Sequence, residues 1–216
     1  MNFSTEQMVH ECHHQYLPIF NISNLTDKIS ETNIHFCSNL SNLQRAKGTD
    51  MEKLLWTKGI FKNQLQITRN KEQIGTIDWK NMFSSDALAT LKGRRFILNR
   101  DFFLSKLEIF DANNQAPLAS IMINLFNPKS DVIINGKRFE LEIKNFWQSR
   151  WAWKFNGQEI IIFQSNELLS KDKGQIEIYT ADCDELEILI LLGLFVRNQL
   201  ILFMLLILVI IFAIIV

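Results

Sequence analysis

The chain has 216 residues, enough for one well-buried domain plus extensions but not for two large domains. Lys plus Arg number 23 and Asp plus Glu 23, which excludes nucleic-acid binding driven by overall basicity, and 8 Gly with 3 Pro argue against low-complexity disorder and a glycine-rich phosphate loop. A hydrophobic fraction of 47% is ordinary for a soluble domain, yet the run from Leu200 to Val216 has no polar side chain at all.

Residues 1–50 lack sustained periodicity and are predicted to be a poorly structured extension. Here His10, Cys12, His13 and His14, with His35 and Cys37 further on, invite a metal reading. The cluster has no second closely spaced ligand pair, so a polar, poorly ordered segment is the better expectation and no metal is assigned. Cys12, Cys37 and Cys183 are an odd set without C-x-x-C spacing, which favours a reducing compartment. Asn21, Asn24 and Asn39 open glycosylation-type triplets, but no apolar segment precedes them to deliver the chain to a lumen. Strand patterning starts at once after Met51, so Met51 is a candidate for the true initiator, with a genuine N-terminal tail as the rival reading.

From about residue 53 to 180 apolar residues recur with period two, the strand signal. Phe139, Leu141 and Ile143 alternate with Glu140, Glu142 and Lys144, and Ala119, Ile121, Ile123 and Leu125 alternate with Ser120, Met122 and Asn124. Asn135-Gly136 and Asn156-Gly157 are the strongest short hairpin signals, because both central residues of a type I′ turn need positive φ. Asn70-Lys71, Lys92-Gly93, Asn113-Asn114 and Lys173-Gly174 punctuate more softly. The runs predict about twelve short strands, near 53–57, 63–69, 72–79, 86–92, 94–100, 103–111, 117–126, 131–135, 137–145, 150–156, 158–164 and 174–180, antiparallel because the connections are short. No intervening helical pattern exists, which excludes a βαβ fold.

After Thr180 the pattern changes. Asp182 is a candidate N-cap with Glu185 completing a capping box, and a helix predicted over 183–198 is apolar on every side through Val196. Such a helix must be surrounded, and its apolar length covers only about half a bilayer core, so it is expected to be a buried central helix with Leu186, Leu189, Leu192 and Phe195 in the core. Arg197, Asn198 and Gln199 then interrupt the apolar run, and a break near them is preferred over one long segment carrying Arg197 into hydrocarbon. Residues 200–216 would span about 25 Å as a helix, at the short end of the transmembrane range. They are expected to be a tail anchor leaving the rest cytoplasmic, with Arg197 to Gln199 at headgroup level; the rival is an extension of the buried helix.

About twelve antiparallel strands followed by one all-apolar helix resembles the tubby C-terminal-like superfamily, which includes phospholipid scramblases and LURP-one-related proteins. The resemblance covers roughly residues 52–199. It is carried by Asp184-Glu-Leu-Glu-Ile-Leu-Ile-Leu-Leu-Gly-Leu-Phe-Val-Arg-Asn198, the preceding Trp151-Ala-Trp-Lys-Phe-Asn-Gly157 hairpin, and Leu54-Leu-Trp-Thr-Lys58 followed by Gln73-Ile-Gly-Thr-Ile77, as in small bacterial members. It implies a mainly β fold, a closed barrel of about twelve strands wrapped around the hydrophobic helix over 51–199, and an interaction with anionic lipid. Asp182, Asp184, Glu185 and Glu187 lie where scramblases carry a proposed calcium segment, but helix capping explains them adequately.

No catalytic constellation is visible: all four His lie in the first 35 residues, and Cys183 sits among carboxylates that oppose thiolate formation. The expectation is a non-enzymatic, cofactor-free protein. Residues 51–181 hold 19 basic against 14 acidic residues, a balance of +5 that an anionic membrane would attract. The densest basic patch is Lys92, Arg94, Arg95 and Arg100, read either as a solvated turn or as a lipid-headgroup contact. Trp147, Trp151 and Trp153 are expected in the core or at the barrel rim. Two functions remain: a membrane-tethered module binding anionic lipid headgroups, or a membrane-anchored scaffold for an unidentified protein partner. Neither involves nucleic acid.

Overall fold

The computed structural model describes residues 51–59, 62–81, 83–101, 106–123, 129–144, 149–167, 171–180 and 183–215. The expectations placed on residues 1–50, on Asp182 and on Trp147 lie outside them.

Twelve strands form: β1 (Glu52–Gly59), β2 (Gln64–Arg69), β3 (Glu72–Trp79), β4 (Asp86–Leu91), β5 (Arg94–Arg100), β6 (Lys106–Asp111), β7 (Pro117–Met122), β8 (Lys129–Ile134), β9 (Lys137–Ile143), β10 (Arg150–Phe155), β11 (Gln158–Glu167) and β12 (Lys171–Ile178). Each pairs antiparallel with its sequence neighbours, and β1 pairs with β12, so the sheet closes into a barrel. Closure leaves no sheet edge unpaired.

The five hairpins from β2–β3 to β10–β11 turn tightly at one end of the barrel. Asn70, Lys71, Lys92, Asn135 and Asn156 take positive φ there, as do Gly93, Gly136 and Gly157. The longer connections from β1–β2 to β11–β12 lie at the opposite end. These are called the turn end and the loop end below. β12 begins at Lys171, three residues earlier than the alternation suggested, because Lys171-Asp-Lys173 continues the ladder against β1 in spite of its polarity.

The helix of the described residues, α1 (Leu186–Ile215), enters the lumen at the turn end. Glu187 is paired there with Arg94 at 3.2 Å, and Glu185, just ahead of the helix, with Lys137 at 3.1 Å. A twelve-stranded barrel is too wide for its wall side chains alone to fill, and the helix supplies the missing core. Leu189, Ile190, Leu191, Leu192 and Phe195 are fully buried on all sides of it, and Leu186 is buried at its start. The inward phase of every strand packs against them, including Leu54, Trp56, Ile77, Phe96, Ile109, Leu141, Trp153 and Phe163. Trp153 also donates its indole N–H to the backbone oxygen of Leu189 at 2.7 Å, fixing the helix against β10.

The helix does not break at Arg197–Gln199. All three polar residues are buried inside the barrel, at 4%, 6% and 1% exposure, where they have packing partners, and a helix satisfies its own backbone. They sit below the exit and not at its level. Beyond Leu200 the same rod leaves the loop end, and Leu205 to Ile214 are exposed and wholly apolar. By length and composition the span Leu186–Ile214 is able to cross a membrane.

Candidate functional site at the barrel mouth

Polar side chains collect inside the loop end, where α1 is about to leave. In β1 the inward series is Leu54, Trp56, Lys58, so the period-two pattern that buries the first two also buries the lysine. The inward series of β12 places Asp172 in phase with Gly174, Ile176 and Ile178. Lys58 and Asp172 are direct cross-strand partners in the β1–β12 register. The helix contributes Arg197 and Asn198 from above.

Arg197 ties the cluster together. Its Nη1 donates to Asp172 at 2.5 Å and its Nη2 to Ser165 Oγ at 2.9 Å. The guanidinium lies 4.8 Å from the Trp56 ring centroid and 5.0 Å from that of Trp151. A delocalised cation held between two aromatic faces is among the better ways to bury charge. Lys58 is held differently: its ammonium donates to the Asn198 side-chain oxygen and lies 4.4 Å over the Trp79 ring. Among the described residues no carboxylate lies within ion-pair distance of it. Burial lowers its pKa to about 8, with nearby Asp172 opposing the shift and Arg197 adding to it. Among the described residues the cluster therefore brings two cations and the carboxylate of Asp172 together.

Donors also outnumber acceptors. Among the described residues, the buried side-chain atoms without a hydrogen-bond partner are the indole nitrogens of Trp56, Trp79 and Trp151, Arg100 Nε, Asn198 Nδ2 and Gln199 Nε2. Every one carries N–H. Five of the six belong to residues of the cluster, to rings stacked on its cations, or to the next position on the helix.

The basic residues singled out from sequence do not come together. Lys92, Arg94 and Arg95 are exposed at the turn end, where Arg94 pairs with Glu187 and lies over Phe96. Arg100 stands at the other end of β5, about 20 Å away at strand rise, and donates to the backbone oxygens of Phe83 and Asp101. Leu186, Leu189, Leu192 and Phe195 do line the barrel interior. Cys183, Asn135 and Lys137 donate to Glu185, and its expected capping box with Asp182 lies outside the described residues. Burial opposes its ionisation, but these donors hold its carboxyl below the ordinary value. Burial and the bond to Glu185 push the Cys183 thiol up to about 11, so it is not a thiolate near neutrality. Among the described residues no group of three or more His, Cys, Asp or Glu is placed to hold a metal ion.

Sequence reasoning missed Lys58 and Asp172. The signal for Lys58 was present, since a lysine in the inward phase after Leu54 and Trp56 breaks the alternation at a position that faces the lumen. The class of protein is therefore a closed twelve-stranded antiparallel barrel on a central helix that continues out of one end. Comparison of the chain with known families, characterised proteins and solved structures finds no match.

Proposed function

We propose that the protein is a non-enzymatic, membrane-tethered barrel of the tubby C-terminal-like type, anchored by the protruding end of α1, with its loop end against anionic lipid headgroups on the cytoplasmic side. The observation that carries this reading is the exit of the helix. Residues 201–215 extend about 22 Å from the barrel with only apolar side chains, and no charge has to enter hydrocarbon because Arg197 stays inside the barrel.

The described part of the loop end supports the same orientation. Phe83, between β3 and β4, is 67% exposed there. Lys62 and Lys80 are exposed at the same end, where each would add about 1 kcal/mol near an anionic surface, whereas Lys129 and Lys144 there are paired with Glu140 and with Glu142 and Glu159. An exposed aromatic flanked by lysines is the composition of an interfacial face.

Liposome flotation tests the proposal. A chain ending at Leu200 should still float weakly with anionic vesicles and not with neutral ones, with a salt-sensitive loss when Lys62 and Lys80 are changed to Glu. Equal flotation on both vesicle types would remove the headgroup role. The exposed turn end, with Lys92, Arg94 and Arg95, favours a second reading in which that end meets a protein partner away from the membrane. The triple change of these residues to Glu would then release the partner and leave flotation intact.

A further inference from the structure

We propose that the barrel mouth is a binding site for a single phosphate-type anion, held by Lys58, Arg197 and Asn198, and that its natural source is the phosphate of an anionic lipid headgroup. The choice of a lipid source rests on the function proposed above; the chemistry of the site does not.

Three observations carry it. The first is charge: Lys58, 8% exposed, has no carboxylate within ion-pair distance among the described residues, and the Asp172 carboxylate across the strand pair is engaged by Arg197. The acceptor that the ammonium touches is a neutral amide, and the attraction of Asp172 does not outweigh its burial. The second is hydrogen-bond arithmetic. Asn198 accepts from Lys58 through its oxygen, which turns its Nδ2 into a donor with no partner, and Gln199 Nε2 is a second orphan. Both residues are more than nine-tenths buried. Leaving such groups unmet is costly, and the deficit is entirely of acceptors. An anion with several oxygens answers both shortages, whereas a cation or an apolar ligand answers neither. The third is position: Asn198 lies three residues before the point where the helix becomes part-exposed at Ile201, about 4–5 Å along its axis. If the rod enters a bilayer there, the phosphate plane falls at the level of the cluster.

Lys58 is the informative residue to change, because Arg197 also neutralises Asp172 and its removal would leave a buried carboxylate. The full chain in phosphorus-free detergent is titrated with inorganic phosphate in one arm and with phosphatidylglycerol in mixed micelles in the other. Tryptophan fluorescence is the readout, since Trp56, Trp79 and Trp151 border the cluster, together with phosphorus-31 line broadening. Wild type should give a saturable change. Lys58→Met should weaken binding about tenfold or more, and Lys58→Arg should retain it. Response in the lipid arm alone identifies the headgroup as source, and response in both arms identifies the phosphate group as the determinant. If Lys58→Met does not fold, wild type is titrated with phosphatidylglycerol at about pH 7 and about pH 10, where the diester keeps its charge and Lys58 loses its own; binding should fall at the higher pH.

No saturable change in wild type in either arm overturns the site, as does binding by Lys58→Met equal to wild type or binding unchanged at the higher pH. Flotation separates the two proposals. Phosphate binding that depends on Lys58 in a chain that does not enter membranes would leave the site standing and end the tether. Membrane binding without Lys58-dependent titration would do the reverse.

Discussion

Replacing Gly193 with Ala sets two effects of opposite sign against each other, and the enclosed helix decides between them. Alanine is favoured over glycine in a helix interior by about 1 kcal/mol, so on a helix facing solvent or lipid the change should stabilise. In the barrel a Cβ at this position would lie 2.7 Å from Phe163 Cζ, 2.9 Å from its Cε2 and 3.0 Å from Trp153 Nε1. Ordinary carbon contacts are about 3.5–4.0 Å, so the ring would have to retreat by about 1 Å. It has little freedom to do so. Phe163 is stacked on Trp151 at 4.9 Å and 4°, and Trp151 is one of the rings that hold Arg197. Trp153 is pinned by its bond to Leu189. Overpacking of this kind costs about 1–3 kcal/mol, and a constrained aromatic stack belongs toward the upper part of that range. The net expectation is a loss of about 1–2 kcal/mol, or a fall of about 3–6 °C in midpoint for a domain of this size. Thermal unfolding of full-length protein in mild detergent, followed by near-UV circular dichroism, gives the value. A midpoint that rises would mean that the propensity gain prevails and that no wall packs against Gly193.

Leu189 is wholly buried at the centre of the barrel, so Leu189→Asp should prevent folding by enclosing a charge that has no partner; normal yield and melting of that variant would contradict the enclosed helix. Hydrogen bonds from Lys144 and then Lys154 lower the Glu142 carboxyl from 4.5 to about 2. A depressed folded-state pKa adds stability that is complete above about pH 4.5 and lost as pH falls through about 2. Urea midpoints of wild type and Glu142→Gln should therefore converge over that window, and a gap that stays constant would exclude the ion pairs as its cause. Ending the chain at Leu200 should leave only weak, salt-sensitive attachment, so that in high salt the protein moves from the membrane fraction to the soluble one with its strand dichroism unchanged; retention in high salt would locate the attachment in the barrel itself.

The fold was readable because its signals are local. Asn135-Gly136 and Asn156-Gly157 adopt the positive φ values that their turn type requires, and inward residues such as Leu141 and Trp153 follow the alternation that marks them. Strand limits were less readable where polar residues extend a ladder. Lys171-Asp-Lys173 has the composition of a loop, and only its pairing with Gly59, Lys58 and Thr57 across the closure makes it strand. That pairing joins the first and last strands of the sheet, contacts that no window of sequence contains.

The barrel mouth was hidden for the same reason. Arg197 stood out as an interruption of an apolar run, and in sequence the only surroundings available to it were lipid or water, which argued for a break in the helix. The barrel supplies a third environment. Trp56 comes from β1, Trp151 from β10 and Asp172 from β12, and together they accept the guanidinium within the protein. With its charge met there, the helix has no cause to break, and the apolar segment beyond can leave as a continuation of the core helix. Lys58 shows the other side of this arrangement. Its inward phase could be counted from Leu54 and Trp56, but its having no carboxylate within ion-pair distance among the described residues depends on where Asp172 and Arg197 point, which is a property of the closed barrel and not of either strand.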